Sequence, residues 1–262
     1  MRVAAKRHSM LSELHLFALP GIPEVKRGDI LGELLQTSLL HANLALQDGD
    51  ILVIAQKIVS KVEGRIVPLA GVVPSERAID LAREAGKDPR IVELILGESR
   101  KVLRVKRGVI IVEHALGFVM ANAGIDQSNV PGGDDAVLLL PEDPDASARA
   151  LRDALHLRAG VAVGVLIIDS FGRAWRNGVA GTAIGVAGIS ALVDLRGNKD
   201  REGRALKVTQ VAAADELAAA ASLLMGQSDE GTPAVLVRGF PYAPREGSVN
   251  ELLRPEAEDL FR

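Results

Sequence analysis

An apolar run that halts on a carboxylate sets the first constraint on this chain. In VAVGVLIIDSFGRAWRNGVAGTAIG, from Val161 to Gly185, the first eight residues are apolar or Gly and the ninth is Asp169. Such a run calls for complete burial and reads as a buried strand, followed by a Gly-rich turn that holds Gly172, Arg173 and Arg176. A strand can end on a polar residue for dull reasons. The meaning of Asp169 therefore depends on whether another strand ends compatibly.

One does. The stretch ANAGIDQSN ends a second apolar segment on Asp126, with Asn129 close behind, and Ser170 follows Asp169. Two carboxylates brought to about 4 Å repel by about 4 kcal/mol at an effective dielectric near 20. Such a pair must share a proton or a cation, and Asn and Ser oxygens nearby favour a hard cation. Oxygen-only ligation selects Mg²⁺ or Mn²⁺, ions that hold phosphate oxygens. Spacing alone leaves the plainer alternative standing: each Asp caps its own turn and the two never meet.

Composition narrows the chemistry. The absence of cysteine removes disulfides, thiolate catalysis and soft-ligand zinc or iron–sulfur sites. A net charge of −3, with both signs spread along the chain, argues against duplex DNA or an anionic membrane as partner. With 262 residues, 48% of them hydrophobic, the chain can bury a sizeable core. The start, MRVAAKRHSMLSELHLFALPG, has only a short, interrupted apolar stretch. It reads as neither signal peptide nor membrane span, which makes the cytoplasm the expected location. His8, His15, His41, His114 and His156 show no metal spacing and read as structural. No Ser-His-Asp set or nucleophile elbow is visible, which disfavours nucleophilic hydrolysis.

Periodicity places the remaining elements. Gly49–Lys61 reads as a buried strand after a turn at Asp48-Gly49-Asp50. Pro74-Ser75-Glu76 opens a helix capped by Ser75 and broken at Gly86 and Pro89, and Ile91–Leu96 is a second short helix. Val102–Asp126 gives two or three strands joined at Gly108 and Gly117. Pro144 leads into the clearest helix, with Asp145 as cap and Gly160 as stop. Later come a strand, an Ala-rich helix ending near Met225, a Gly loop and a final strand. Without a linker, a repeat or strict βαβ alternation, the expectation is α+β with mixed sheets, one compact unit of two intimate lobes over residues 1–262.

The loop Met225–Thr232, MGQSDEGT, could present backbone N–H groups to an anion, although it is no Walker loop and a plain surface turn explains it equally. The glycines of GTAIGVAG have the wrong spacing for a dinucleotide fingerprint, and close backbone packing explains them better. Lys57, Lys61, Arg173, Arg176, Lys199 and Arg204 lie near these turns and suit carboxylate or phosphate groups.

Taken in order, LPGIPEVKRGD, DGDILVIAQKIVSKVEGR, NAGIDQSNV, IIDSFGRAWRNGVAGTAIGVAGI, KDREGRALKVT, ADELAAAASLLMGQSDEGTPAVLVRG and EGSVNELLR resemble the coenzyme F420-0:L-glutamate ligases, the γ-glutamyl ligases. The resemblance runs from about Leu19 to the C-terminal tail. It implies an α+β unit of two closely associated lobes forming a homodimer, without the flavin-binding nitroreductase-like half that some bacterial members add. It implies GTP-dependent addition of L-glutamate to the deazaflavin precursor F420-0, then γ-linked extension. Carried over residue by residue, Leu19, Pro20, Gly21, Ile22, Gln56, Lys57, Lys61, Asn129 and the loop Met225, Gly226, Gln227, Ser228, Asp229, Glu230, Gly231 and Thr232 correspond to GTP-contacting positions. Asp126, Asp169 and Ser170 correspond to a site for one or two Mg²⁺ or Mn²⁺, with K⁺ as a further cation. Two positions depart from the pattern. Gln56-Lys57 stands where archaeal members carry small hydroxyl residues, and Gln227 where they carry Glu, which bears on the number of metal ions. A metal-dependent phosphohydrolase and a non-catalytic deazaflavin or nucleotide carrier are the alternatives that residue chemistry alone leaves open.

Overall fold

From Gly164 onward the Val161–Ile168 run lies inside a five-stranded sheet. The computed structural model describes residues 13–259; His8 and the leaderless reading of the first twelve residues fall outside them. In chain order the first half contains β1 (His15–Ala18), α1 (Leu31–His41), β2 (Ile51–Ala55), α2 (Gln56–Glu63), β3 (Ile66–Pro68), α3 (Glu76–Ala85), α4 (Pro89–Gly97), β4 (Ser99–Lys106), β5 (Val109–His114) and β6 (Val119–Ala121). The second half contains β7 (Ala136–Leu138), α5 (Pro144–Ala159), β8 (Gly164–Arg173), β9 (Arg176–Ala187), β10 (Val193–Asp194), β11 (Gln210–Val211), α6 (Ala213–Met225) and β12 (Ala234–Arg238). The class is α+β.

The main sheet has the order β1-β12-β2-β8-β9, and within it only β2 and β8 run parallel. Ile51, Leu52, Val53 and Ile54 of β2 and Val165, Leu166 and Ile167 of β8 are fully buried. Flanked on both edges and covered on both faces, these two strands can be apolar at consecutive positions without an alternating polar face. Fully burying each such side chain stabilises by about 1.5–3 kcal/mol. A second, smaller core forms where α3 and α4 pack on the antiparallel meander β4-β5-β6, from Ala78, Ala82, Ala85, Val92, Ile95, Ile110, Val112 and Ala123.

Several sequence expectations hold. Ser75 accepts a hydrogen bond from the Ala78 N–H, and Gly86 closes α3 in the left-handed region at φ 63°. Others change. The Gly49–Lys61 strand ends at Ala55 and turns directly into α2, where Ile58, Val59 and Val62 restore a helical spacing. The β-branched residues there hid the switch of period. Asp143, not Asp145, caps α5: its carboxylate accepts from the Ala146 N–H, with Pro144 at the first helical position. Asp145 is instead buried, accepting from the Val186 and Val249 N–H groups and the Ser248 hydroxyl.

The expected Gly-rich turn after Asp169 is also a strand. β8 continues to Arg173 and pairs with β9 in one long hairpin, Asp169 facing Thr182 across the ladder. The glycines of β9 admit the two helices packed against it. A Cβ on Gly181 would lie 2.4 Å from the Ala218 carbonyl of α6, and one on Gly185 2.4 Å from the Pro144 carbonyl of α5. Replacing Gly185 by Ala is expected to cost about 1–3 kcal/mol in urea unfolding. Gly71→Ala, at a glycine with open space around it, should stay within about 0.5 kcal/mol. Equal stabilities of the two variants would contradict this packing.

Candidate active site

Strand direction gathers the site. β2 and β8 are parallel, so Ala55 and Ile168 end beside each other. β12 is antiparallel to β2 and begins at that same edge, and β1 ends there too. Three segments therefore leave the sheet beside Asp169-Ser170 of β8: Leu19–Ile22 after β1, Gln56-Lys57 after β2, and the loop 226–232 before β12.

A further segment comes from the smaller lobe. Asp126 is held in place by a backbone bridge to Leu138, donating its N–H to the Leu138 carbonyl at 3.0 Å and accepting in return at 2.8 Å. The turn before it passes through positive φ at Asn122 (52°), Ala123 (53°) and Gly124 (65°), and Asn129 after it has φ 56°. Non-glycine residues in that region cost about 1–3 kcal/mol each and persist where the surroundings fix them. Here the Asn122 carboxamide oxygen accepts from the Ile110 N–H, which ties the turn to β5.

These segments are bonded to one another. The Lys57 ammonium pairs with Asp126 Oδ2 at 2.7 Å and donates to Ser128 Oγ at 2.7 Å. Asp126 Oδ1 accepts from both the N–H and the hydroxyl of Ser128. Asn129 Nδ2 donates to the Ser228 carbonyl at 3.3 Å, and the Ser170 hydroxyl donates to Gln227 Oε1 at 2.8 Å. Lys61, one turn beyond Lys57, is buried and pairs with Glu24 at 2.6 Å. Within α2 the Ser60 hydroxyl donates to Gln56 Oε1. The other half of that buried amide, Nε2, lacks a hydrogen-bond partner. It approaches Asp169 closely enough to favour the carboxylate, without reaching hydrogen-bond geometry.

The two carboxylates feel each other. Burial pushes Asp169 up most strongly and the Asp126 charge adds to it, so its pKa reaches about 6 despite the Ser170 N–H, Lys57 and Gln56. Burial also pushes Asp126 up, but Lys57 and the Ser128 N–H outweigh it and hold that carboxyl below the usual range. One member of the pair is thus neutralised by a lysine, and the other lacks a full counter-charge. Among the described residues no three His, Cys, Asp or Glu side chains cluster as a metal set; the remaining oxygen donors here are Ser170, Ser128, Asn129 and Gln227.

The glycine loop holds an anion of its own. Glu230 accepts from the Ser228 N–H at 2.8 Å, and the loop amides of Ser228, Glu230 and Gln227 lower its pKa. Gly226 and Gly231, at φ 73° and 65°, give the loop that shape. α2 also starts without a side-chain cap on its N-terminal amides, an end that favours negative charge.

Other expected residues take no part in this bonding. Leu19 is fully buried, so only its backbone is available at this edge; its N–H donates to the Ala234 carbonyl. The Pro20 carbonyl accepts from Ser38, Gly21 has φ 72°, and Ile22 packs on the main core. Arg173 and Arg176 face each other at the tip of the β8–β9 hairpin, and Arg204 is paired with Asp200. Sequence reasoning missed Ser128 and Glu24. The Asp126-Gln127-Ser128 spacing is a signal for the first, since Asp commonly accepts from the N–H two residues on; Glu24 had none.

This is an α+β protein with a charged, oxygen-rich site where its parallel strands end. Residues 21–239 match the family described as F420-0:Gamma-glutamyl ligase. The chain is 48% identical over 251 residues to the coenzyme F420:L-glutamate ligase of Methanothermobacter thermautotrophicus, covering 95% of this chain and 99% of that one. It is 47% identical to the enzyme of the same name from Methanopyrus kandleri (96% and 99% covered) and 46% identical to that from Methanocaldococcus jannaschii (88% and 92%). The chain belongs to the F420-0:γ-glutamyl ligase family.

Asp126→Asn is expected to draw the Asp169 pKa down from about 6 toward the ordinary carboxylate value, because it removes a like charge and releases Lys57. Carboxyl-carbon NMR titration reads this directly. An unmoved Asp169 would mean that the two groups do not share a site.

Proposed function

We propose that the protein joins L-glutamate to the deazaflavin F420-0 at the expense of GTP, acting as a homodimer. Family membership and the names of its relatives support the ligase reading. The observation that carries the site is the bonding of Lys57 to Asp126, Asn129 to Ser228 and Ser170 to Gln227 at a single sheet edge.

Amide formation needs a leaving group better than oxide. In this reading the γ-phosphoryl group of GTP passes to a carboxylate oxygen of F420-0 and GDP departs. The glutamate nitrogen then attacks the acyl carbon, the C–O bond to phosphate breaks, and the amine loses its proton. Lys57 and the amides of α2 and of the glycine loop face the phosphates, and the Lys61–Glu24 pair fixes the second lysine beside them. Nucleotide entry would displace Glu230 from the loop amides. Asp169, with Ser170 and Gln227, supplies hard oxygen donors that fit Mg²⁺ or Mn²⁺, and the uncompensated charge of Asp169 suits a cation. When bound, such an ion neutralises charge on the transferring phosphoryl group.

Purified protein incubated with F420-0, glutamate, GTP and Mn²⁺ should yield glutamyl-extended product by mass analysis, with GDP and phosphate released. Asp169→Asn should lose at least a hundredfold in turnover while keeping its circular dichroism spectrum. Phosphate release that needs neither F420-0 nor glutamate would favour a phosphohydrolase. Tight ligand binding without GDP formation would favour a carrier.

A further inference from the structure

Of the two carboxylates at the sheet edge, only one awaits a cation. Asp126 has both oxygens engaged: Oδ2 by the Lys57 ammonium at 2.7 Å, and Oδ1 by the Ser128 N–H and hydroxyl at 2.7 and 2.8 Å. Lys57 itself is anchored twice more, to Ser128 Oγ at 2.7 Å and to the Ser128 carbonyl at 3.3 Å. Its side chain is 30% exposed and that of Asp126 27%, so the pair is partly withdrawn from water and less screened than a surface ion pair.

Asp169 stands differently. Among the described residues no ammonium or guanidinium forms an ion pair with it; its near neighbours are the Ser170 N–H and the unpartnered Gln56 amide. The side chain that reaches Ser170 from the glycine loop is Gln227, a neutral amide whose oxygen accepts from the Ser170 hydroxyl. It adds an oxygen without adding charge. Counting Lys57 as positive and the two aspartates as negative leaves a single uncompensated negative charge, located on Asp169.

We infer that the Lys57 ammonium is a built-in cation at Asp126, so that each chain takes one divalent ion, at Asp169 and Ser170, where a pair of free carboxylates would take two. This rests on the preceding reading that the cluster binds a divalent ion. The physical basis is competition for one carboxylate. An ammonium tethered by four methylenes to the α2 backbone is present at fixed, high effective concentration. A dissolved ion must displace it and then share the site with the charge it displaced. Lys57 therefore sets the ion count and supplies from the protein part of the positive charge that the phosphates meet.

The test counts ions. Protein equilibrated by dialysis against Mn²⁺ alone is analysed for bound metal, and its electron paramagnetic resonance spectrum is recorded. The wild type should bind one Mn²⁺ per chain and give an uncoupled spectrum. Lys57→Ser, which keeps a small oxygen and removes the charge, should bind two, with the exchange broadening of neighbouring Mn²⁺ ions. Lys57→Arg should stay at one, which separates charge from the loss of a side chain; circular dichroism confirms that each variant is folded. Two ions in the wild type, none in the wild type, or one in Lys57→Ser would each overturn the inference. Ligase activity, followed separately on the wild type, keeps the two readings distinct: an ion count as expected with no glutamyl product would sink the ligase proposal and leave the ion assignment standing.

Discussion

The parallel pairing of β2 with β8 is the constraint on which the rest depends. Parallel neighbours end at the same edge, so whatever polar residues terminate the two apolar runs are forced into proximity. Here those residues are Gln56-Lys57 and Asp169-Ser170. The antiparallel attachment of β12 and β1 then brings a glycine loop and the Leu19–Ile22 segment to the same place. Open sheets hold ligands outside the carboxyl ends of their parallel strands for this reason, and one parallel pair within an otherwise antiparallel sheet suffices.

Packing keeps that edge in position. The glycines of β9 let α5 and α6 lie closer than any side chain would permit. The bridge from Asp126 to Leu138 of β7 fixes the smaller lobe's carboxylate, and Lys57 ties it to the end of β2. Charge does the rest. Asp126 is stabilised by Lys57 and Asp169 is left in want of a counter-charge, so two similar residues acquire opposite tendencies from their surroundings. The glycine loop, which folds its amides around Glu230, shows that its backbone can hold an oxyanion.

Much of this was legible in the sequence, for identifiable reasons. The Val161–Ile168 run announced a buried strand because no polar face interrupts it, and Asp126 and Asp169 stood out as carboxylates ending apolar runs. The caps at Ser75 and Gly86 follow local rules that tertiary structure did not override. The α2 helix was hidden because Ile58, Val59 and Val62 satisfy a strand as well as a helix, and nothing within the segment shows that the sheet ends at Ala55. The close packing expected of the GTAIGVAG glycines is seen at Gly181 and Gly185, whereas the turn expected after Asp169 gave way to strand because its partner strand β9 lies beyond the segment itself. Asp145 looked like a cap for a similar reason: the N–H groups it satisfies belong to residues about 40 and 100 positions away. The Lys57–Asp126 pair, 69 positions apart by number, likewise required the fold.

The most direct measurement is diffraction at the manganese absorption edge from crystals grown with Mn²⁺ and GDP. The anomalous peak is expected against Asp169 and Ser170, with the nucleotide phosphates over the amides of α2 and the glycine loop. A peak and nucleotide at the opposite end of the sheet, in the cleft of about 350 Å³ lined by Arg152, His156, Tyr242 and Arg245, would contradict it.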